Sequence, residues 1–311
     1  MTYYHRETMA SKYTVETGAD SIVAEFGSEV KGKVFLITGV SPNGLDAFFA
    51  EALAKASPRL LILASRDTAK AQAVADSIKT LNSAVETRLL QLDLGSFASV
   101  RKAAHEVNAY DENINVLVNN AGIMAPLPLH QPNMNKILGS TGPNSSSRVV
   151  NVSSQGYRIG GARYFDYNFH DGESYDPWFA YGASKTMNIL HARELARRLG
   201  GRAWWPDKFG DLWALYRKLG DPLGWDMPKP LDPNRGVANH AYAALAPDDK
   251  DVELMSHPFG FLLDFNGSFI LSLERLPEPV EDMSPGAVGE LEGKKCWELS
   301  EKLVGQKFDF K

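Results

Sequence analysis

A tyrosine and a lysine four positions apart, Tyr181 and Lys185, have the clearest chemical potential in this sequence. Side chains at positions i and i+4 of a helix share one face, so the two groups are expected to be neighbours. A free tyrosine has a pKa of about 10, and a nearby ammonium favours the phenolate and lowers that pKa. The tyrosine could then act as a general acid or base near neutral pH. The alternative is an exposed helix pair with no chemical role, because this spacing is also common by chance.

A glycine-containing turn, Thr38–Asp46, follows an apolar run that is typical of a buried strand and precedes a helical segment. Glycine in such a turn lets the backbone approach a pyrophosphate, and the amino end of the helix supplies N–H groups and a positive dipole end. The turn therefore predicts a dinucleotide site, with an ordinary strand-to-helix turn as the alternative. The residues expected to bind the cofactor here are Gly39, Ser41, Asn43, Gly44 and Leu45.

The ends of the second and third predicted strands carry residues suited to the adenosine half of a dinucleotide. Arg66 stands where a carboxylate would favour NAD, whereas an arginine suits the 2′-phosphate of NADP. This favours NADP(H), with NAD(H) kept as an alternative, and a plain surface arginine would favour neither. Asp93, followed by Leu94, is expected to contact the adenine, to cap the next helix, or to do both.

Small and polar residues follow the fourth and fifth predicted strands. Asn120, Ala121 and Gly122 would allow close approach of a cofactor, and asparagine amides at this point can tie neighbouring strands together. An Asn-Gly turn without a ligand is the alternative. Ser154 follows the fifth strand and adds a hydroxyl group at the same edge of the predicted sheet.

Strand and helix signals alternate along the chain, which predicts parallel βαβ units in a doubly wound, Rossmann-like α/β sheet. We expect one such domain over residues 1–311, with 1–30 as a lead and 203–311 as a substrate-side and C-terminal extension. The predicted strands are Lys33–Gly39, Arg59–Ser65, Arg88–Leu92, Ile114–Asn119 and Arg148–Ser153, with later candidates at Phe259–Phe265 and Ser268–Leu273. The predicted helices are Ala19–Phe26, Ala47–Ser57, Thr68–Leu81, Phe97–Val107, Tyr181–Leu199, Pro233–Leu245 and Glu290–Gly305.

The bulk properties exclude several classes of protein. The 311 residues carry a net charge of −5, with a pI of about 5.8, which gives no footprint for nucleic acid or an anionic membrane surface. The one cysteine, Cys296, cannot form an internal disulfide and fits a reducing compartment. Without a secretory h-region or an apolar span, we expect a cytoplasmic protein. The histidines lack metal-ligand spacing, so no metal is expected.

The glycine turn, the Asn-Ala-Gly stretch, the serine after the fifth strand and the Tyr–Lys pair follow one another along the chain. With this order of motifs, the sequence resembles the short-chain dehydrogenase/reductase family, in the branch of the retinol dehydrogenases and WW-domain oxidoreductases. The resemblance covers residues 30–202 and resumes in pieces beyond them. Fungal members of that branch are similar in Ile37–Pro42, Tyr167–Phe169, Tyr175–Trp178 and Leu299–Gly305.

The resemblance implies a role for each residue of the expected site. Ser154 would hold the substrate oxygen and Tyr181 would exchange the proton. Lys185 would lower the tyrosine pKa and hold the nicotinamide ribose. The resemblance also implies that four of the turn and strand-end residues contact the cofactor: Gly39, Leu45, Asp93 and Asn120.

Three features depart from the family pattern. Asp46 stands where the family has the last glycine of the phosphate turn, and its carboxylate would sit near a pyrophosphate of like charge unless it points away. The stretch from Gly122 to Arg148 is short and rich in proline, so the family's catalytic asparagine is not clear, with Asn133 and Asn135 as candidates. After Arg202 the sequence has no β-branched run in place of the family's sixth strand, for which 259–265 is the substitute considered.

Together these features predict an NADP(H)-dependent oxidoreductase that interconverts a hydroxyl and a carbonyl on a hydrophobic small molecule, in keeping with secondary metabolism. The aromatic residues between Ser154 and Tyr181 would line an apolar substrate wall, or would simply pack. The main alternative is a catalytically impaired Rossmann-fold relic that serves as a binding or scaffold protein. A methyltransferase or epimerase is a third possibility. A homo-oligomer is compatible with the sequence.

Overall fold

The computed structural model describes the chain in stretches separated by gaps. Elements, contacts and absences below refer to these residues: 17–122, 148–198, 232–246, 255–256, 261–263, 269–270, 274–275, 285–287 and 289–308.

Five parallel strands form the centre of the fold: β1 (Val34–Thr38), β2 (Leu60–Ser65), β3 (Glu86–Gln91), β4 (Val116–Asn119) and β5 (Arg148–Ser153). They pair in the order β3-β2-β1-β4-β5. Every residue of β1 and β2 is buried, because a parallel sheet is covered on both faces and its strands must be apolar runs. The predicted Rossmann-like class is confirmed, and all five predicted strands are present.

The helices that flank this sheet are α1 (Ala19–Glu25), α2 (Gly27–Val30), α3 (Leu45–Ala54), α4 (Thr68–Leu81), α5 (Phe97–Asn108), α6 (Pro177–Arg198), α7 (Pro233–Gly236), α8 (Ala238–Leu245) and α9 (Glu290–Val304). The predicted helix over 233–245 is divided at Val237. Helix α6 begins four residues before the predicted start, at Pro177, where a missing N–H costs nothing. The Asp176 carboxylate accepts hydrogen bonds from the amides of Trp178 and Phe179 and so caps this first turn.

Alternate residues of each central strand point into two separate cores. Phe35 and Ile37 of β1 pack on one face with α1, α3, α4 and α8. Leu36 of the same strand packs on the other face with α5, Leu195 of α6 and Trp297 of α9. This alternation follows from the two-residue period of a strand. It fixes α6 on one side of the sheet and α8 on the opposite side.

The sheet departs from the all-parallel prediction beyond β5. Strand β7 (Phe261–Leu263) pairs with β5 in antiparallel orientation, and β8 (Phe269–Ile270) pairs antiparallel with β7. The strand candidates at Phe259–Phe265 and Ser268–Leu273 are thus confirmed, but with the direction opposite to that of a sixth parallel strand. Two further strands, β6 (Met255–Ser256) and β9 (Glu274–Arg275), pair with each other apart from this sheet.

Among the described helices, none combines the length and the apolar character that crossing a membrane would need.

Candidate active site

The predicted site residues meet at one edge of the sheet because parallel strands all end there. The turn Gly39–Leu45 follows β1, Arg66 follows β2, and Asp93 and Leu94 follow β3 after two residues or less. The stretch Asn120–Gly122 follows β4 directly. Ser154 follows β5, and α6 contributes Tyr181 and Lys185. Ligands of open α/β sheets bind at this carboxyl edge.

The loop that leaves β4 is tied to a hydroxyl group at the end of β1. Thr38 Oγ1 accepts hydrogen bonds from the amides of Asn120 and Ala121, each at 3.1 Å, and donates to the carbonyl of Val118 at 3.3 Å. Gly39 has φ of +89°, and a Cβ there would lie 2.6 Å from Cα of Ala121. Glycine is required at this position for both reasons, its left-handed backbone and the close approach of the next loop.

Two amides link the last two parallel strands. Asn119 Nδ2 donates to Asn151 Oδ1 at 2.8 Å, level with the pairing of these residues in the ladder. The predicted tie between neighbouring strands is therefore confirmed at Asn119. Asn120 uses its side chain differently, since its Oδ1 lies 3.1 Å from Nε2 of His240 on α8. Sequence reasoning missed His240, because it considered histidines only as metal ligands.

Tyr181 and Lys185 lie on one face of α6 beside the end of β5, as the spacing predicted. Lys185 Nζ is 5.5 Å from the centroid of the Tyr181 ring. Ser154 and Tyr181 are joined by a side-chain hydrogen bond. A Cβ at Gly156 would collide with the Tyr181 ring, and a Cβ at Gly182 would lie 2.5 Å from the backbone nitrogen of Gly160. The small residues around the pair let the loop after β5 pack directly on the tyrosine.

The charge states of this pair differ from the sequence expectation. Burial lowers the pKa of Lys185 to about 8, because the residue is only 8% exposed and no carboxylate of the described chain offsets the loss of solvation. Burial also raises the pKa of Tyr181, and only the hydrogen bond with Ser154 opposes that effect. The expected lowering of the tyrosine pKa by the lysine is therefore wrong for this state. The ammonium lies over the ring and is itself disfavoured by burial.

Asp46 folds into the glycine turn rather than pointing into solvent. Its side chain is 4% exposed, and Oδ1 accepts a hydrogen bond from the amide of Ala47 at 2.8 Å. Burial raises its pKa to about 6 against the hydrogen bonds of the Ala47, Ser41 and Asp46 amides. The carboxylate thus occupies amides that would otherwise be open to an anion at the start of α3.

The residues that follow β2 and β3 stabilise the turns and helices next to them. Arg66 is exposed, and the neighbouring Asp67 caps α4 by accepting from the amides of Ala69 and Lys70. The N-cap of α5 is Ser96, so the expected capping role of Asp93 is wrong. The Asp93 carboxylate instead accepts from the amide of Gly95 and stabilises the turn before that helix.

The aromatic segment between Ser154 and Tyr181 divides into two groups. Tyr157 and Phe169 are buried and pack, as one interpretation predicted. Phe165 is 98% exposed, and Trp178 and Phe179 are about half exposed. The Trp178 ring meets the Tyr181 ring edge to face, with 6.5 Å between centroids. The exposed group is therefore the part of the segment that a ligand could contact.

Other sequence expectations fall outside the described residues. These are the candidate asparagines Asn133 and Asn135 and the segment that follows Arg202. Within the described residues, no group of three or more histidine, cysteine, aspartate or glutamate side chains could hold a metal ion.

The buried lysine should reduce the stability of the fold. We expect Lys185→Met to raise the free energy of unfolding at pH 7 by on the order of 3 kcal/mol, since the pKa falls from 10.5 to about 8 on folding. The cost of the charge is complete below pH 8 and disappears as the pH rises toward 10.5, where lysine is neutral in both states. Chemical denaturation of both proteins at pH 7 and pH 10 measures the difference. Equal stabilities at pH 7 would contradict the assignment of a buried charge.

Known proteins resemble this chain in sequence. The family model described as short chain dehydrogenase matches residues 33–141. Oxidoreductase fscI of Fusarium equiseti is 32% identical over 223 residues, which are 58% of this chain and 86% of that protein. Retinol dehydrogenase 14 of Mus musculus is 28% identical over 312 residues, with 88% of this chain and 86% of that protein covered.

The short-chain dehydrogenase/reductase prx1 of Penicillium roqueforti is 37% identical over 194 residues. That match covers 56% of this chain, and the chain spans about half the length of prx1, 55%. The residues that the family model matches contain the glycine turn and the ends of β1 to β4. The agreement of fold, edge geometry and sequence shows that this chain belongs to the short-chain dehydrogenase/reductase family of nicotinamide-dependent oxidoreductases.

Proposed function

We propose that this protein is an NADP(H)-dependent oxidoreductase that interconverts a hydroxyl and a carbonyl group on a hydrophobic small molecule. The observation that carries the proposal is the convergence of Ser154, Tyr181 and Lys185 at the carboxyl edge of the sheet. Tyr181 is hydrogen-bonded to Ser154, and the buried ammonium of Lys185, which has no carboxylate partner among the described residues, lies over its ring. Such a group is costly unless a ligand uses it.

The residues present fit a nicotinamide cofactor at several points. Gly39 keeps the turn after β1 open by its positive φ, and a Cβ at Gly122 would lie 3.4 Å from Nζ of Lys185. The lysine ammonium can therefore donate to ribose hydroxyls across a stretch that carries no side chain. Asn120 lies at the same edge, and Arg66 is exposed at the end of β2, where a 2′-phosphate would bind. Asp46 is the exception, because it fills the turn amides that would face the pyrophosphate.

The side chains supply the proton chemistry. When bound, the cofactor supplies or accepts the hydride. Tyr181 stays protonated at neutral pH because burial raises its pKa, so it donates its phenolic proton to a carbonyl oxygen as an alcohol forms. Ser154, which already bonds the tyrosine, would orient the same oxygen. In the opposite direction deprotonated Tyr181 takes the alcohol proton, and the hydrogen bond from Ser154 favours that phenolate.

The exposed aromatic group supports a hydrophobic substrate. Phe165, Trp178 and Phe179 leave apolar area in contact with solvent, and Trp178 lies against the reacting tyrosine. The Trp178 ring contacts the Tyr181 ring directly. A substrate whose oxygen binds at Tyr181 would therefore place its carbon skeleton against Trp178. An apolar wall with a few polar groups at one end is typical of small-molecule sites.

A second candidate function is a binding or scaffold protein that has lost turnover. The buried carboxylate of Asp46 in the phosphate turn favours it, since two like charges about 4 Å apart repel by on the order of 4 kcal/mol at an effective dielectric of about 20. The two candidates differ in whether the chain binds the cofactor tightly enough to turn over a ketone.

Tyr181→Phe tests the proton-transfer assignment. We expect it to lower turnover by about 10²–10⁴-fold, because it removes the proton donor and little volume. The dissociation constant for NADPH should stay within a factor of about two. Rates with a panel of hydrophobic ketones and a fluorescence titration measure the two effects. A variant that keeps most of the wild-type rate would sink the assignment of Tyr181.

Arg66→Ala tests the preference for NADP(H). The guanidinium offers a charge-assisted partner to the 2′-phosphate, which NADH lacks, so affinity for NADPH should fall far more than affinity for NADH. Titration of both cofactors into both proteins gives the ratio, with Lys70→Ala on α4 as the matched charge control. Equal losses for the two cofactors would remove the basis for proposing NADP(H).

Asp46 variants separate the active enzyme from the relic. At pH 8 we expect Asp46→Asn to bind NADPH more tightly by about tenfold or more, because it removes a unit charge from the turn. Asp46→Gly should gain further, since it also frees the amides. The difference in NADPH affinity between the Asp46→Asn variant and the wild type should narrow as the pH falls through 6, where the wild-type carboxyl takes up a proton. High salt should also narrow it, because it screens the charge.

The Asn variant is the matched control, because it keeps the size and the acceptor of the aspartate. A ratio of dissociation constants that is constant from pH 5 to pH 8 would show that charge at this position does not act on the cofactor. Tighter binding by Asp46→Gly without turnover of any ketone would favour the relic.

A further inference from the structure

His240 reaches the candidate site from the opposite face of the sheet from α6. It lies on α8, is 1% exposed, and packs against Phe49 of α3 with 5.8 Å between ring centroids. Its Nε2 lies 3.1 Å from Oδ1 of Asn120, at the carboxyl end of β4. A residue 120 positions away in sequence therefore holds one of the expected cofactor contacts.

The hydrogen bond fixes the state of the ring. Because an amide oxygen can only accept, Nε2 of His240 must carry the hydrogen, and Nδ1 is then a bare acceptor. Nδ1 is buried and has no hydrogen-bond partner in the described residues. A buried acceptor without a partner costs stability, so packing alone does not explain a histidine here. The same bond requires the Asn120 amide to turn its NH₂ group away from α8.

Burial keeps the imidazole of His240 neutral, and one nearby charge adds to the effect. Burial, together with the nearby Lys185 ammonium, lowers the pKa of His240 to about 4. No carboxylate contributes to this shift. The ring therefore remains a donor at one nitrogen through the physiological range of pH, and the bond to Asn120 does not depend on a titration.

The Asn120 amide is held from two directions. Its backbone N–H donates to Thr38 Oγ1, and its side-chain oxygen meets His240. Its side-chain NH₂ has no partner within the described part of the chain, and the residue is half-buried. The geometry leaves one oriented donor at the edge where ligands of such sheets bind.

We propose that His240 is a positioning residue that orients the Asn120 amide so that its NH₂ group donates to the bound cofactor. The proposal rests on the proposed function, because it takes the ligand at this edge to be a dinucleotide with hydroxyl and carbonyl acceptors. His240 itself does not touch the cofactor. Its effect on binding passes through Asn120.

Two substitutions at this position separate hydrogen bonding from packing. His240→Gln places an uncharged amide N–H near the position of Nε2, whereas His240→Leu fills similar space without a donor. We expect the Leu variant to weaken NADPH by about tenfold and the Gln variant by no more than about threefold. The Gln variant should keep the wild-type pH profile of turnover, since the imidazole takes up no proton.

A double-mutant cycle with Asn120→Ala tests whether the effect passes through the amide. With Asn120 removed, His240→Leu should cause no further loss of NADPH affinity, because the group that it positions is absent. In the free protein, the side-chain amide resonances of Asn120 should report one fixed orientation in the wild type and the Gln variant and averaging in the Leu variant. Unfolding midpoints of all variants control for a merely structural effect.

Four outcomes would overturn the proposal: additive losses in the cycle, a Gln variant as weak as the Leu variant, unchanged Asn120 resonances in the Leu variant, or a Gln variant that binds NADPH normally but loses turnover. The last outcome would assign His240 to proton exchange. A wild-type protein that binds no NADPH would instead overturn the proposed function, and the amide resonances would still decide the contact between His240 and Asn120.

Discussion

Parallel pairing of the five central strands determines where every candidate functional group lies. Since β1 to β5 run in one direction, their carboxyl ends finish at the same edge, and the loops that follow them are forced together. The pairing demands apolar strands that are covered on both faces, which in turn places α6 on one side and α8 on the other. The tyrosine, the lysine and the histidine reach this edge from the two helices that pack on opposite faces of the sheet.

The site contains buried polar and charged groups that lower the stability of the fold. Lys185 is buried without a carboxylate partner, Asp46 is a buried carboxyl, and one nitrogen of His240 has no hydrogen bond within the described chain. Functional sites commonly retain such strained polar groups, and the large apolar cores on both faces of the sheet offset their cost.

Much of the fold follows from local sequence patterns, because buried parallel strands read as apolar runs and the helices between them have regular spacing. The strand Arg148–Ser153 and the helix Thr68–Leu81 were predicted to the residue. The spacing of Tyr181 and Lys185 likewise predicted that they share a face. Protonation was not predictable, since the pKa of Lys185 depends on burial that only the assembled sheet creates. The direction of β7 was also beyond local patterns, because a three-residue strand carries no signal of its orientation.

His240 was missed for a related reason. Its partner, Asn120, lies at the carboxyl end of β4, 120 positions earlier in the chain, and no sequence motif joins residues that far apart. The direction of the Asp46 side chain depends on the same kind of information. The sequence of the turn after β1 is the same whether the Asp46 carboxylate bonds the amides of the turn or faces water.

The hydroxyl of Thr38 has a consequence for motion at the edge of the sheet. It bonds the amides of Asn120 and Ala121 while Gly39, its neighbour, lies against Ala121. The loop after β4 is therefore anchored to the end of β1, and its displacement breaks both bonds at once. The amides of Asn120 and Ala121 are expected to exchange their hydrogens at a common rate. A ligand that orders this loop would slow the exchange of both amides.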